Sequence, residues 1–410
     1  MAVALWGKVY CDTFAGELRQ EPGGRCVFIY DPAYLAAKRA AIAHTLPLRP
    51  EPHICEQGLH PFFDNLVAEG WLRNAQARAL NADPANRFAL LLAFGRDCAG
   101  AVTVIDPAPL REPAIDFGDP AIAAALTSRA SLSGVQRKLL AVKDGRRFRP
   151  ARGDEASTYI AKFSSGTLTD IVDNEYLTTV ASIALLPDHD IVAARIGALD
   201  GIEGKALLVR RFDRLPSGAK RHFEEFNQLL GRRSGDDKYE GGYEDMAHFI
   251  RTVPGCTPVD ALRLYQRILV CLLTGNTDAH LKNFAMFHTP DGLRLTPAYD
   301  LVAAALYPDY RTLALAIGGA ANLAITSVKP KHLVALGGAY GLDAAHVVRI
   351  VATLDGRREA AERAVTNEAK KIGALALARD LIEFMEKRWN GSFASIGRYL
   401  STKQSGDGDA

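Results

Sequence analysis

Gly275-Asn276-Thr277-Asp278-Ala279-His280-Leu281-Lys282-Asn283-Phe284, followed by Leu293-Arg294-Leu295-Thr296-Pro297-Ala298-Tyr299-Asp300, decides how this chain is read. A helix ends, a polar loop presents Asp278, His280, Lys282 and Asn283, and a short strand then delivers Asp300. Phosphoryl transfer from a metal nucleotide needs these parts. One carboxylate orients the attacking hydroxyl and takes its proton. An amide oxygen and a second carboxylate hold magnesium on the phosphates. A lysine nearby neutralises the transferring group. One Asp-x-His taken alone is more often a polar turn after a buried helix. The joint spacing of Asp278, Asn283 and Asp300 between apolar elements tips the balance toward chemistry.

Upstream of that loop, Val259, Leu262, Tyr265, Ile268, Leu269 and Leu272 recur at helical spacing. Thr257-Pro258-Val259-Asp260 opens the helix with a hydroxyl cap and a proline at its first position. From about residue 224 onward the chain reads as helical. From Ser131 to Arg214 the pattern is mainly β. Leu139–Val142, a turn at Asp144-Gly145, and Arg147–Arg149 form a hairpin pattern. Tyr159-Ile160-Ala161-Lys162-Phe163 alternates, with Lys162 on the face of Ile160. A buried lysine is costly unless paired, and Glu175 on the following helix is the partner at hand. The competing reading is a surface lysine on an edge strand. Ser131-Leu132-Ser133-Gly134-Val135-Gln136-Arg137-Lys138 is a small hydroxyl-rich turn that offers backbone N–H groups to phosphate oxygens, or is a plain turn.

The first hundred residues mix short strands, near Ala4–Tyr10, Cys26–Tyr30 and Gly100–Ile105, with a helical pattern from His60 past Trp71. Residues 106–120 carry four prolines and read as a linker. The division expected is a subdomain over 1–105, a β-rich lobe over 106–228, a helical lobe over 229–400 and a polar tail over 401–410.

Composition excludes several classes. In 410 residues, 49 Lys and Arg face 47 Asp and Glu, a net charge of +2, which argues against a general nucleic-acid coat. The sum hides a basic run, Arg137, Lys138, Lys143, Arg146, Arg147, Arg149 and Arg152, and a second, Arg210, Arg211, Arg214, Lys220 and Arg221. Each is either a seat for an anionic partner or a solvated face. No run of apolar residues is long enough to span a membrane. With no secretion signal and six scattered cysteines, a cytoplasmic protein with reduced thiols is expected.

Together these segments resemble the HipA family, the serine/threonine kinase toxins of bacterial type II toxin–antitoxin modules. The resemblance runs over nearly the whole chain. It rests first on Thr277–Phe284 with Leu295–Asp300. It is supported by His60-Pro61-Phe62-Phe63-Asp64-Asn65-Leu66, Phe94–Val102, Ser133–Lys138, Lys162 and Val172-Asp173-Asn174-Glu175-Tyr176. It implies an α+β, protein-kinase-like fold with a mixed α/β N-terminal half, an all-α C-terminal half and ATP in the cleft between. By that resemblance Asp278 is the catalytic aspartate, and Asn283 and Asp300 hold Mg2+. Ser133, Gly134, Val135, Gln136, Lys138, Lys162, Phe212, His280, Lys282 and Asn283 bind ATP. Glu175 forms a structural ion pair, and Ser131 and Ser133 are autophosphorylation sites.

The resemblance further implies a serine of an aminoacyl-tRNA synthetase as substrate, with arrested translation and dormancy as the outcome. It implies a HipB-like DNA-binding antitoxin as partner, with DNA reached through it and no membrane association. Arg210 stands where the better-known members carry a glutamate beside the adenine, which puts that contact in question. The presence of the first subdomain argues against the variety in which that piece is a separate protein. Two other readings of the loop chemistry remain open. One is a kinase-fold enzyme acting on a small molecule or lipid, and the other a non-catalytic module that binds an antitoxin or DNA.

Overall fold

The computed structural model describes residues 5–108, 118–128, 136–153, 155–164 and 166–406. Ser131, Ser133, Gly134 and Val135 lie outside the described residues. The chain divides into two units. One comprises Met1–Thr169, Gly197–Lys238 and Ala285–Pro290, the other Asp170–Ile196, Tyr239–Phe284 and Asp291–Ala410.

The first unit begins with β1 (Trp6–Cys11), β2 (Thr13–Gln20), β3 (Cys26–Tyr30), α1 (Pro32–Ala36), β4 (His53–Cys55), α2 (Pro61–Asp64), α3 (Gly70–Leu80), α4 (Arg87–Phe94) and β5 (Val102–Ile105). Its strands form one sheet in the order β4-β3-β2-β1-β5. Strand β2 goes beyond the sequence reading. Gly16 interrupts its side-chain alternation, and β3 runs so close that a Cβ there would meet the Ile29 carbonyl oxygen at 2.1 Å. Phe28, Phe62 and Phe63 pack with Val9, Leu18 and Val104 into the core of this region. α2 starts where Pro61 follows His60, whose Nδ1 accepts the Phe62 N–H at 3.2 Å.

α5 (Pro120–Thr127) leads to β6 (Lys138–Asp144), β7 (Arg147–Pro150) and β8 (Tyr159–Phe163). The expected hairpin is present, with Asp144 paired to Arg147. α6 (Ile171–Leu185) comes next in the chain and belongs to the second unit. β9 (Ala194–Leu199) and β10 (Ile202–Arg210) complete a sheet ordered β7-β6-β8-β10-β9. Leu139, Ala141, Phe148, Ala161, Phe163 and Leu208 share a core on one of its faces. β11 (Phe223–Glu225), α7 (Phe226–Leu229) and β12 (Ala285–Thr289) close the unit, with β11 antiparallel to β12.

The second unit is predominantly helical: α8 (Tyr243–Thr252), α9 (Pro258–Thr274), α10 (Pro330–Ala339), α11 (Ala344–Asp355), α12 (Arg358–Ile372), α13 (Leu375–Arg388) and α14 (Ile396–Gly406), with a short β13 (Gly292–Leu295). α14 runs into the segment expected to be a tail. α9 buries Leu264, Tyr265, Ile268, Leu269 and Leu272. Each such side chain contributes roughly 1.5–3 kcal/mol by leaving water. Val259 fits the same periodicity but is 56% exposed, because it lies in the first turn beside the cap rather than in the packed stretch. Among the described residues no single helix is long and apolar enough to cross a membrane. The six cysteines carry free thiols.

Candidate active site

α9 delivers the polar loop. Its start is fixed by a reciprocal cap: Thr257 Oγ1 accepts the Asp260 N–H at 3.2 Å, and Asp260 Oδ2 accepts the Thr257 N–H at 3.3 Å. Its end is fixed by Gly275, in the left-handed conformation at φ 86°. A Cβ there would also stand 2.8 Å from the Phe384 ring. The Asn276 N–H returns to the Cys271 carbonyl at 2.8 Å, which turns the chain sharply into the loop.

The loop is braced from several sides within the second unit. Thr277 Oγ1 donates to the Tyr310 carbonyl at 2.5 Å, and the Thr277 carbonyl accepts the Ala314 N–H at 2.8 Å. The buried Tyr243 hydroxyl donates to the Ala279 carbonyl at 3.1 Å. Asp278 sits between these braces, half-buried, and its Oδ1 accepts the Tyr239 phenol at 3.3 Å. Asn283 is oriented by the His280 N–H, which donates to its Oδ1 at 3.0 Å, and it donates from Nδ2 to Asp300 Oδ2 at 2.7 Å. His280, Lys282 and Asn283 are buried rather than displayed, with Lys282 4% exposed.

Asp300 arrives by a separate route. After β13, the Ala298 N–H and carbonyl bond the Asp190 carbonyl and the Val192 N–H at 2.9 and 3.0 Å. Arg267 of α9 donates to the Thr296 and Asp190 carbonyls at 2.7 and 3.3 Å. Asp300 itself has φ 58°, a left-handed conformation that is unusual for a residue with a side chain. Its carbonyl accepts the Asn276 amide at 3.2 Å. The second unit holds Asp278, His280, Asn283 and Asp300, with Asn283 bonded to both His280 and Asp300. Asn276 and Tyr239 are contacts the sequence reading did not use, although Asn276 stands in the decisive stretch itself.

The donor set suits a hard divalent cation. Asn283 offers a carbonyl oxygen whose orientation the His280 N–H fixes, and Asp300 offers a carboxylate beside it. Mg2+ takes one or two protein oxygens and completes its shell with water and phosphate. Among the described residues no group of three or more His, Cys, Asp and Glu side chains is arranged for a metal.

In the first unit, Lys162 of β8 is 6% exposed, on the face opposite the Ala161 and Phe163 core, and it stands directly opposite Lys138 of β6 in the antiparallel register. Two cationic side chains at paired positions are a set that suits an anion such as phosphate. Gln136 Nε2 donates to the Phe163 carbonyl at 3.2 Å, and the Gln136 carbonyl accepts the Trp71 indole N–H at 3.3 Å. Phe212 packs against Phe223 and Phe287 with ring centroids 5.0 and 5.6 Å away. Glu175, on α6 in the second unit, is buried.

In the second basic run Arg210 and Arg221 are exposed, but the other two arginines are not part of a solvated face. Arg211 and Arg214 are buried, and both bond Asp97 and Asp213. Arg211 also donates to Ser157 Oγ at 2.7 Å, and Asp213 accepts the Gly100 N–H at 2.9 Å. Burial alone would raise the Asp97 carboxyl, but the guanidiniums of Arg211 and Arg214 outweigh it and hold Asp97 down at about 2. These arginines are spent on internal carboxylates, one of them (Asp213) close by in sequence and the other (Asp97) more than a hundred residues away. In the first run, Arg149 is likewise bound by Glu155 at 2.5 Å, and Arg137 by Asp119 at 2.6 Å.

Comparison with known proteins decides the family. The model of the HipA-like C-terminal domain matches residues 130–365, and that of the HipA N-terminal domain matches residues 7–105. The chain belongs to the HipA family. Y4dM of Sinorhizobium fredii, whose name places it among candidate kinases, is 33% identical over 313 residues, 69% of this chain and 73% of that one. The serine/threonine-protein kinase toxin HipA of Shewanella oneidensis is 32% identical over 292 residues, 62% of this chain and 66% of that one. A solved structure of Shewanella oneidensis HipA, in a complex with HipB and operator DNA, superposes with a TM-score of 0.69 at 24% identity, covering 95% of this chain and 99% of that one. The expected α+β, kinase-like HipA architecture is therefore the one observed, and the relatives of this HipA-family chain are named as kinases.

Proposed function

We propose that this chain is a serine/threonine protein kinase that acts as the toxin of a toxin–antitoxin module. It transfers the γ-phosphate of ATP to a serine of another protein. The serine oxygen bonds phosphorus, the bond from phosphorus to the departing ADP oxygen breaks, and Asp278 receives the hydroxyl proton. Asn283 and Asp300 hold Mg2+, which when bound neutralises the phosphates. The observation that carries this reading is the grouping of Asp278, Asn283 and Asp300 on one braced loop and its neighbouring segment.

Lys162 and Lys138 take the nucleotide phosphates, with Gln136 and the loop residues Ser133, Gly134 and Val135. Phe212 lies against the adenine, and Glu175 takes part in a structural ion pair. Ser131 and Ser133 are autophosphorylated, and the added charge repels ATP. The substrate class is a serine of an aminoacyl-tRNA synthetase, and a HipB-like DNA-binding antitoxin neutralises the toxin. The named relative, a kinase toxin, and the HipB complex of the structural neighbour support these assignments by likeness.

The test is phosphoproteomics after brief induction, comparing wild type with Asp278→Asn. A synthetase serine labelled by the wild type alone is the expected result. Labelling by both proteins would remove Asp278 from its role. Phosphate found only on a small molecule or lipid would overturn the protein-kinase reading. Intact mass after incubation with Mg-ATP tests the loop serines in the same preparation.

A further inference from the structure

Asp300 combines two features that need an explanation. Its backbone is left-handed at φ 58°, a conformation that few residues with a side chain adopt. It also carries the carboxylate of the candidate metal pair. A strained residue persists only when its surroundings over-determine it. Two asparagines of one loop are among those surroundings. Asn283 holds the carboxylate at 2.7 Å, and Asn276 holds the carbonyl at 3.2 Å.

Asn276 is well placed for this. It is 2% exposed, and its own backbone is fixed by the return bond to Cys271 at 2.8 Å. Its Nδ2 donates to Asp300, while its buried Oδ1 has no hydrogen-bond partner. Burying an unpaired amide oxygen costs free energy. A smaller apolar side chain would avoid that cost but would leave the Asp300 carbonyl without its donor. The residue thus gives up stability while fixing the direction of a carboxylate 24 residues further along the chain.

We infer that Asn276 is a positioning residue for the metal site: it keeps Asp300 in the left-handed conformation that directs its carboxylate toward the cation shared with the nucleotide. This rests on the proposed nucleotide-dependent function. It assigns Asn276 no contact with the reacting atoms. Its effect passes entirely through Asp300.

The experiment measures binding rather than turnover. Calorimetric affinity for a non-hydrolysable ATP analogue is determined with Mg2+ and again with EDTA, for wild type, Asn276→Ala and Asn276→Asp, with thermal melting of each protein alongside. Wild type should bind more tightly with Mg2+. Asn276→Ala should keep the metal-free affinity and lose about tenfold of the metal-dependent gain, the scale of one hydrogen bond. Asn276→Asp keeps the shape but sets an oxygen against the Asp300 carbonyl, so it should lose at least as much. Its agreement with Asn276→Ala guards against misfolding of either variant. In an Asp300→Asn background, Asn276→Ala should cause no further loss, since there is no carboxylate left to position.

Equal loss of affinity in Mg2+ and in EDTA, or a lowered melting temperature with an unchanged metal-dependent gain, overturns the inference and leaves the kinase reading intact. A wild-type protein that binds no nucleotide under either condition instead overturns the kinase reading on which it rests.

Discussion

Asn283 donates to Asp300 at 2.7 Å while its own carbonyl oxygen accepts the His280 N–H at 3.0 Å, so the amide cannot flip without setting two N–H groups against each other. The oxygen of Asn283 is therefore committed to one direction. Asn283→Ala is expected to reduce phosphoryl transfer from Mg-ATP by about a hundredfold, the scale on which a preorganised charge-stabilising group acts. The melting temperature should fall by several degrees, since two hydrogen bonds are lost, each worth about 1 kcal/mol or somewhat more. Radiolabel transfer measured beside thermal melting separates the two effects. Near-normal transfer in a folded variant would exclude Asn283 as a metal ligand.

Tyr239 donates its phenol to Asp278 at 3.3 Å, a long bond from a side chain that is 42% exposed. Such a bond contributes little, and an arriving hydroxyl can displace it. Tyr239→Phe should change the rate of transfer by less than about tenfold, whereas Asp278→Asn should abolish it, since the proton then has no acceptor. Comparable losses in both variants would mean that the phenol, too, takes part in the chemistry.

Lys138 and Lys162 face each other across β6 and β8. Nucleotide phosphates bound by these lysines would stabilise the folded chain, so ATP should raise the melting temperature of the wild type. Lys162→Gln should weaken ATP binding about tenfold or more, because a charge-assisted contact to phosphate is lost. Salt should weaken the wild-type complex more than the variant complex. Equal salt dependence in the two would count against Lys162 as a phosphate ligand.

Much of this arrangement was legible in the sequence because it is local. Thr257 and Pro258 announce the start of α9, Gly275 its end, and the spacing from Asp278 to Asn283 fits within a single loop. What the sequence does not display is pairing across distance. Arg211 and Arg214 look like surface charge until Asp97 is brought to them. β2 was missed because Gly16 breaks its alternation for the sake of a close approach by β3. Asn276 was passed over for a different reason: its partner is a backbone carbonyl, which leaves no trace in residue identity.

The arginine network yields a stability prediction of its own. Asp97→Asn leaves Arg211 and Arg214 buried beside Asp213 alone. Removing one partner from a buried charged cluster typically costs about 3–5 kcal/mol. Chemical denaturation should show a lowered midpoint with little change in slope. A stability within experimental error of wild type would mean that solvent reaches these groups and screens them.

His222 sets an acid limit on the fold. Its Nε2 donates to the Ile42 carbonyl at 2.9 Å, so the neutral ring offers Nδ1, which accepts the Ala101 N–H at 3.4 Å. Protonation would place a second N–H against that donor. The groups facing the ring are the His288 imidazole, 4.6 Å away between centroids, and the buried Glu224 carboxylate, which His288 bonds at 2.7 Å. Burial first, and His288 second, push His222 down to about 4 from an ordinary value of 6.5, while Glu224 opposes them only in part. The unfolded chain therefore binds the proton more readily than the folded one. Stability is fully present above pH 6.5 and falls as pH drops from there toward 4, by about 1.4 kcal/mol per pH unit for this group. His60 and His189 are also held at about 4, chiefly by burial, so the wild-type slope contains their contributions as well. His222→Gln keeps a donor for Ile42 and an acceptor for Ala101 but cannot take up the proton. Its stability should decline less steeply over that range, by about one proton's worth of slope, as read from urea denaturation at a series of pH values. A slope identical to wild type would show that His222 is already protonated in the native protein.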